Sequence, residues 1–417
     1  MSEITTYEKT KDSGIEWIGS IPSHWRVHTL YQLVTQVKEK NSNLQEKNLL
    51  SLSYGKIKRK DIDSPDGLLP ASFDGYNIIE DGDIVLRLTD LQNDHTSLRV
   101  GLATERGIIT SAYITLRPIN TSNSKYLYYL LHAFDLKKGF YGMGSGVRQG
   151  LNYAEVKELR VVLPGQDEQN AIVRFLDNQC GQIDSIIEEA KSSIEEYKKW
   201  RASIIFEAVT KGLNPLAEMK DSHIDWIGLV PSHWKLSRIK NELDNLDYLR
   251  EPISAEKREN ILGLYDYYGA SGVIDKIDDY NVDDKVLLIG EDGANLRMRN
   301  LPLVYKAEGK FWVNNHAHIL KVHDDNCYGF IAYLLEAGDY SVFITGSAQP
   351  KLSQFNLMRF PIVIPPLVEQ QEIEAYLDEK CSAIDALIRE KKSLLSELEI
   401  YKRSLILETV TGKRKVV

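Results

Sequence analysis

Three glycines at alternate positions, Gly142, Gly144 and Gly146 in FYGMGSGVRQG, form the first pattern that could do chemistry. At a strand-to-helix turn such glycines let backbone approach a nucleotide or S-adenosylmethionine. Here the segment follows a helix-like stretch, so a plain glycine turn is the expected reading. An amino-methyltransferase would need an Asp-Pro-Pro-Tyr-like or Asn-Pro-Pro-Tyr-like tetrad. Asn214-Pro215 is followed by Leu216, and Pro365-Pro366 is preceded by Ile364, so neither site has it. No G-x-x-x-x-G-K-[ST] loop offers a phosphate cradle for ATP. Glu155-Val156-Lys157 and Glu196-Tyr197-Lys198 match the tail of a nuclease E-x-K element, a triplet that chance supplies freely. His316-Ala317-His318 puts two imidazoles on one strand face, where a metal site could begin. No Cys or acidic ligand cluster flanks the pair, so a structural or hydrogen-bonding role is expected. The reading therefore assigns no catalytic residue, metal or cofactor to this chain.

Side chains suited to DNA are easier to find. Lys56, Lys58, Arg59 and Lys60 cluster in SYGKIKRKD, and Arg87 follows in DGDIVLRLTD. Arg148 and Gln149 sit in the glycine turn, and Gln349 and Lys351 occupy a matching turn, GSAQPK. Arg297 and Arg299 lie in NLRMRN, and Asn314 and Asn315 precede the His pair. Lys and Arg neutralise phosphates, while Arg, Asn and Gln read guanine and adenine edges bidentately. The net charge of −9 means that any basic face is local.

The elements that must position these residues are written twice. KDSGIEWIGSIPSHW (11–25) returns as KDSHIDWIGLVPSHW (220–234), with 11 of 15 positions identical. The recurrence of His24 and His233 suggests a shared packing role, with Trp17, Trp25, Trp226 and Trp234 as anchors. A second pair matches LPGQDEQNAIVRFLDNQC (163–180) with IPPLVEQQEIEAYLDEKC (364–381), and continues ungapped to IIFEAVTKG (204–212) and LILETVTGK (405–413). Between these frames lie bodies of similar length without evident mutual similarity. Framing parts match while framed parts diverge, as expected of two modules doing one kind of job on different targets.

Both matched segments read as long helices. Ile183, Ala190, Tyr197 and Ile204 recur every seven residues, with Ile187, Ile194 and Ala208 in complementary positions and Arg201 as an exception. The second copy has Ile384, Leu398 and Leu405, then Ile388 and Leu395, interrupted by Lys391 and Lys402. Seven is the coiled-coil period, and a stripe of this kind needs a partner. The two helices are expected to pair antiparallel within one chain and so to act as a spacer. The bodies read as mixed α and β. DGDIVLRLTD and GIITSAYITLRP, then DDKVLLIG and GKFWVNNHAHILKV, are strand-like, while SKYLYYLLHAF and YGFIAYLLEAG are helical.

Composition is ordinary for a globular chain of two or three domains: 417 residues, 43% hydrophobic and 27% charged. No apolar run approaches the ~20 residues of a membrane helix, and no signal peptide is visible at the start. Three cysteines suit a reducing cytoplasm rather than a disulfide framework.

With its repeated frame, Pro164 with Glu168-Gln169 and Leu176-Asp177, Pro365-Pro366 with Glu369-Gln370 and Leu377-Asp378, and the closing SLILETVTGK, the chain resembles specificity (S) subunits of type I restriction-modification systems. The bodies resemble two classes of target-recognition domain, through YNIIEDGDIVLRLTDLQND and through YGASGVIDKIDDY. The resemblance implies an α+β fold with recognition domains at 1–163 and 220–364. Helical spacers follow at 164–212 and 365–417, with a linker at 213–219. It implies that each domain reads half of a bipartite double-stranded DNA site. The helices would pair through Ile183, Ile187, Ile194, Tyr197, Ile204, Ile384, Ile388, Leu395, Leu398 and Leu405. They would also dock two methyltransferase subunits, which restriction/translocase subunits join. S-adenosylmethionine, ATP and magnesium would belong to those partners. A specificity subunit of a methylation-only or related phage-defence complex is the alternative. A stand-alone methyltransferase and a scaffold without DNA contact are the competing classes.

Overall fold

A computed structural model describes residues 5–63, 70, 72–94, 96–143, 150–259 and 263–416. The chain divides into two compact units, Met1–Ala190 with Lys392–Val417, and Lys191–Lys391. Both divisions fall inside long helices, Gln166–Lys211 and Leu367–Val410, so each unit owns part of each helix. At 46 and 44 residues these helices are about 69 and 66 Å long at ~1.5 Å per residue. No helix among the described residues is long and apolar enough to cross a membrane.

In the first unit the sequence copy 11–25 folds as a short hairpin, Thr10–Asp12 against Ser20–Pro22. The chain then enters strand Arg26–Thr29, which pairs antiparallel with Arg160–Leu163 just before the long helix. The body holds a four-stranded antiparallel sheet in the order Val34–Gln36, Ile114–Pro118, Ile84–Leu86, Val100–Leu102. Helix Ser124–Leu136 lies on it. Its buried Tyr126, Leu127 and Leu130 share one core with Trp25, Ile172 and Leu176, and with Leu405, Ile406 and Val410 of the second long helix.

The second unit repeats the frame. Met219–Asp221 pairs with Leu229–Pro231, and Lys235–Arg238 with Pro361–Ile364. Its body is a six-stranded sheet in the order Leu243–Asn245, Ala317–Val322, Val282–Gly290, Val304–Val313, Tyr265–Gly269, Gly272–Ile277. The contact between Tyr265–Gly269 and Val304–Val313 is parallel and the others are antiparallel. Helix Tyr328–Ala337 contributes Phe330, Ile331, Leu334 and Leu335 to a core shared with Trp234, Ile205, Val209, Ile373 and Leu377. The α+β reading holds, with helices segregated from mainly antiparallel sheets.

Two strand-like runs are each interrupted. Residues 107–118 form Gly107–Ile109 and Ile114–Pro118, because Tyr113 N–H bonds back to the Thr110 carbonyl and closes a turn. Residues 309–322 break at Asn314–His316, between strands Val304–Val313 and Ala317–Val322. β-branched composition marks strand but does not by itself locate such a turn.

Several of the duplicated polar residues repeat their bonds as well as their spelling. His24 Nε2 lies 2.9 Å from Glu168 Oε2, and His233 Nε2 lies 2.8 Å from Glu369 Oε2. Gln169 and Gln370 each donate to a proline carbonyl, Pro164 and Pro365, at 2.9 Å. Tyr129 and Tyr333 each donate to an aspartate of the long helix that follows, Asp177 and Asp378, at 2.8 Å. Trp25 and Trp234 are the buried anchors. The two histidines are about half exposed and act through the carboxylate, which corrects the expected packing role.

Candidate nucleic-acid interface

The first basic cluster is a β-hairpin. Leu50–Ser53 pairs with Lys56–Arg59, and Tyr54 and Gly55 both have positive φ, 47° and 74°. That is the left-handed pair a two-residue hairpin turn requires, and glycine takes the more demanding place readily. Leu50 and Leu52 point into a small core that Ile57 joins. Strand alternation therefore turns Lys56 and Lys58 outward. Among the described residues Lys56, Lys58 and Lys60 have no carboxylate partner. Arg59 is different: its Nε lies 2.9 Å from both oxygens of Glu105, and this bond holds the Glu105 carboxyl below its ordinary range. Arg87 is half-buried beyond strand Ile84–Leu86. Arg148 and Gln149 lie outside the described residues. The segment ends at Leu151, whose N–H bonds to Leu88 O at 3.0 Å.

In the second unit the corresponding leucine, Leu352, bonds through its N–H to Glu291 O at 2.8 Å. The turn before it is closed by reciprocal bonds between Thr345 and Lys351, and leaves Gln349 exposed. Arg297 donates to Gly346 O at 3.0 Å and Lys351 pairs with Glu291 at 3.0 Å, so both brace this turn. Asn315 is exposed, and its carbonyl accepts from Arg250, which also bonds Glu291. Arg297, Asn315, Gln349 and Lys351 thus gather around one site.

Two residues of the set face elsewhere. Asn314 is buried, with Oδ1 accepting from His316 N at 2.8 Å, so it shapes the turn between strands. Arg299 donates to the carbonyls of Glu336 and Gly338 and lies over the Tyr340 ring, which caps the Tyr328–Ala337 helix. The sequence shows a cation at 299 but not the carbonyls that occupy it.

Behind these loops His318 takes the hydrogen-bonding role expected of the His pair, with Asp247 a partner that the sequence does not signal. His318 is fully buried between Asp247 Oδ2 at 2.6 Å and Leu352 O at 2.8 Å. Burial pushes the Asp247 carboxyl up, but bonds from His318 and Ile319 N and the Arg250 charge outweigh it and hold it low. The imidazole thus bridges a carboxylate on one side and a backbone carbonyl on the other. His316 instead meets Asp292 at 2.8 Å on the surface, so the two imidazoles do not converge. Among the described residues no group of three His, Cys, Asp or Glu could hold a metal.

The residues of the expected helix stripe differ in burial. Ile183, Ile187, Ile194, Ile384, Ile388 and Leu405 are buried, while Tyr197, Leu395 and Leu398 are half-buried. Ile204 is only half-buried; its neighbour Ile205 takes the deeper place, because a 3.6-residue helix drifts off a strict seven-residue repeat. The interruptions are paired. In the first unit Lys402 Nζ meets Asp184 Oδ1 at 2.5 Å. In the second, Arg201 Nε lies 3.1 Å from Asp385 Oδ1. Position 385 is the copy of 184, and 402 the copy of 201, so one ion pair occurs once in each unit.

Comparison with known proteins adds the following. The chain matches the family described as type I restriction modification DNA specificity domain twice, over residues 73–196 and 231–397. It is 33% identical over 146 residues to a putative type I restriction enzyme specificity subunit of Haemophilus influenzae, covering 35% of this chain and 36% of that protein. It is 24% identical over 237 residues to the putative MjaX specificity subunit of Methanocaldococcus jannaschii, covering 54% of each. The alignments thus span about a third and about half of these relatives. Among solved structures, a chain from a study of assembly and conformational transition of the type I R-M system aligns with TM-score 0.66 at 15% identity, covering 94% of this chain and 98% of that one. The HsdS subunit of Thermoanaerobacter tengcongensis aligns with TM-score 0.47 at 15% identity over the same shares.

Proposed function

This chain belongs to the type I restriction-modification DNA specificity family, and from that premise we propose that it is the DNA-reading subunit of such a complex. Each body, within 1–163 and 220–364, reads one half of a bipartite duplex site. Because the bodies differ in sequence and in sheet, the halves differ and the site is asymmetric. The observation that carries this reading is the double family match, joined to a frame whose His–Glu and Tyr–Asp bonds recur in both copies around bodies that differ.

The segments 164–212 and 365–417 form an antiparallel helical spacer. The reading is supported by the ion pairs, in which a higher number on one helix goes with a lower number on the other. These helices also dock methyltransferase subunits, two if the repeat symmetry is followed, and restriction/translocase subunits complete the assembly. Bond making and breaking then fall to those partners, which would hold S-adenosylmethionine, ATP and magnesium, and the complex works in the cytoplasm. In the first unit Lys56, Lys58 and Lys60 serve phosphates. In the second, Gln349 and Asn315 face base edges while Arg297 and Lys351 hold the turn that carries them.

The test is genome-wide base-modification sequencing in cells that express the chain with its methyltransferase subunit. A two-part, non-palindromic motif with a fixed gap, lost when this chain is deleted, is expected. A palindromic motif, or none that depends on the chain, would overturn the reading.

A further inference from the structure

Behind the first recognition sheet a single guanidinium organises a whole loop. Arg99 is fully buried. Its Nη1 donates to Thr89 O at 2.7 Å and Arg87 O at 3.3 Å, and its Nη2 to Asp90 O at 3.4 Å and to Asp94 O. Its Nε donates to Tyr141 Oη at 3.2 Å, and that hydroxyl donates in turn to Asp94 O at 2.9 Å. Leu91, without solvent exposure, anchors the loop from beneath. A loop without regular structure thus has four carbonyls tied to one buried cation. Placing a guanidinium out of water is costly unless its donors are all met, so this arrangement fixes one loop conformation.

From this loop we infer a role: Thr89–Asp94 is a base-reading element of the first unit, with Gln92 the reading side chain and Arg99 the positioning residue behind it. The inference rests on the DNA-specificity reading and names a residue for it. Gln92 is exposed, and among the described residues its amide has no partner. Beside it Asn93 Nδ2 is held by Asp90 Oδ1 at 2.7 Å, so Asn93 stiffens the tip. A preorganised amide offers one donor and one acceptor side by side, the pattern that pairs with adenine N7 and N6.

Two neighbours fit the same use. The basic hairpin rests directly on this loop's exit. Its tip at Gly55 packs against Leu98, and Ile57 covers Gly101 of strand Val100–Leu102. Lys56 and Lys58 therefore flank the loop, where phosphates would pass while Gln92 meets a base. The second unit builds the same joint independently. There the strand end at Glu291 receives Leu352 N, as Leu88 receives Leu151 N in the first unit, and a buried hydrogen-bonding side chain, His318, again stands behind it.

The test uses the full chain co-expressed with its methyltransferase subunit, first to define the wild-type motif and then to measure duplex binding with every position of each half-site varied. In Gln92→Ala, binding to the cognate duplex is expected to fall about 10- to 100-fold. The loss should be confined to one A·T position of one half-site, with the salt dependence unchanged. Arg99→Met should relax the same position while circular dichroism shows a folded chain. Lys56→Ala with Lys58→Ala should lower the salt slope by about one to two with base preference intact. If the wild type specifies a motif and Gln92→Ala specifies it with the same preference at every position, the inference is wrong while the specificity reading stands. A wild type with no chain-dependent motif overturns both.

Discussion

Reversing one charge of the Asp184–Lys402 pair should weaken the first unit, and reversing both should restore it. The ammonium and carboxylate are 2.5 Å apart. Coulomb's law gives about 1.7 kcal/mol at that separation in bulk water. The Lys402 side chain is 25% exposed and that of Asp184 42%. Screening and side-chain entropy therefore bring the contact to roughly 0.5–1 kcal/mol. Asp184→Lys replaces this attraction with two facing ammonium groups, so the expected cost is about 1–2 kcal/mol. The double variant Asp184→Lys, Lys402→Asp should recover all but a few tenths. Native-state amide exchange of the full chain reads this locally, on peptides covering 183–190 and 395–405. A double-mutant cycle isolates the coupling. The copy pair is an internal control. Arg201 Nε, 3.1 Å from Asp385 Oδ1, does not aim its N–H at that oxygen, so its cycle should return the smaller coupling. Additive single variants at 184 and 402, with coupling under about 0.2 kcal/mol, would show that the pair is incidental and that the apolar stripe alone joins the helices.

Three further outcomes are expected. Burial holds the His132 imidazole down at about 4, helped by Lys402 and Arg403, whereas the unfolded chain titrates at its ordinary 6.5. The unfolded state then binds the extra proton between these values, so acidification through this window should cost the first unit at most about 3 kcal/mol. Nearby Asp135, raised by burial to about 6, acts oppositely and takes up its proton in the folded state first. His132→Phe should therefore gain stability relative to wild type as pH falls from about 6.5 to 4.5, read as the difference in urea midpoint; parallel midpoints would refute this. Gly412 has φ 71°, and a Cβ there would lie 2.3 Å from Pro22 Cδ, so Gly412→Ala should lower the thermal midpoint. Gly212→Ala, where the added carbon meets the flexible Glu369 carboxylate at 3.0 Å, should cost less. Deleting one heptad from either long helix should change the gap in the recognised motif or abolish recognition, and an unchanged motif in modification sequencing would sink the spacer role.

Much of this architecture is local and was therefore readable. Hydrophobic period and a duplicated motif are properties of neighbouring residues, so the long helices and the two-body layout follow from spacing alone. The copy relation by itself pairs Glu168 with Glu369. Turn positions inside β-branched runs were less legible. Tyr113 closing on Thr110, and the break at Asn314–His316, depend on hydrogen bonds that β propensity does not encode.

What tertiary structure alone decided is the employment of each charge. Lys58 and Arg59 are neighbours in one basic run, yet Glu105, far along the chain, occupies only Arg59. Arg99, unmarked in the sequence SLRVG, is the buried hub of a loop. Arg201 and Lys402 read as flaws in a stripe until Asp385 and Asp184 are found opposite them. The sequence by itself determined the elements, their repetition and their apolar faces, because these rest on periodicity within a few residues. Which cations remain free for a phosphate or a base was settled only when distant segments met, because charge pairing and burial act through space rather than along the chain.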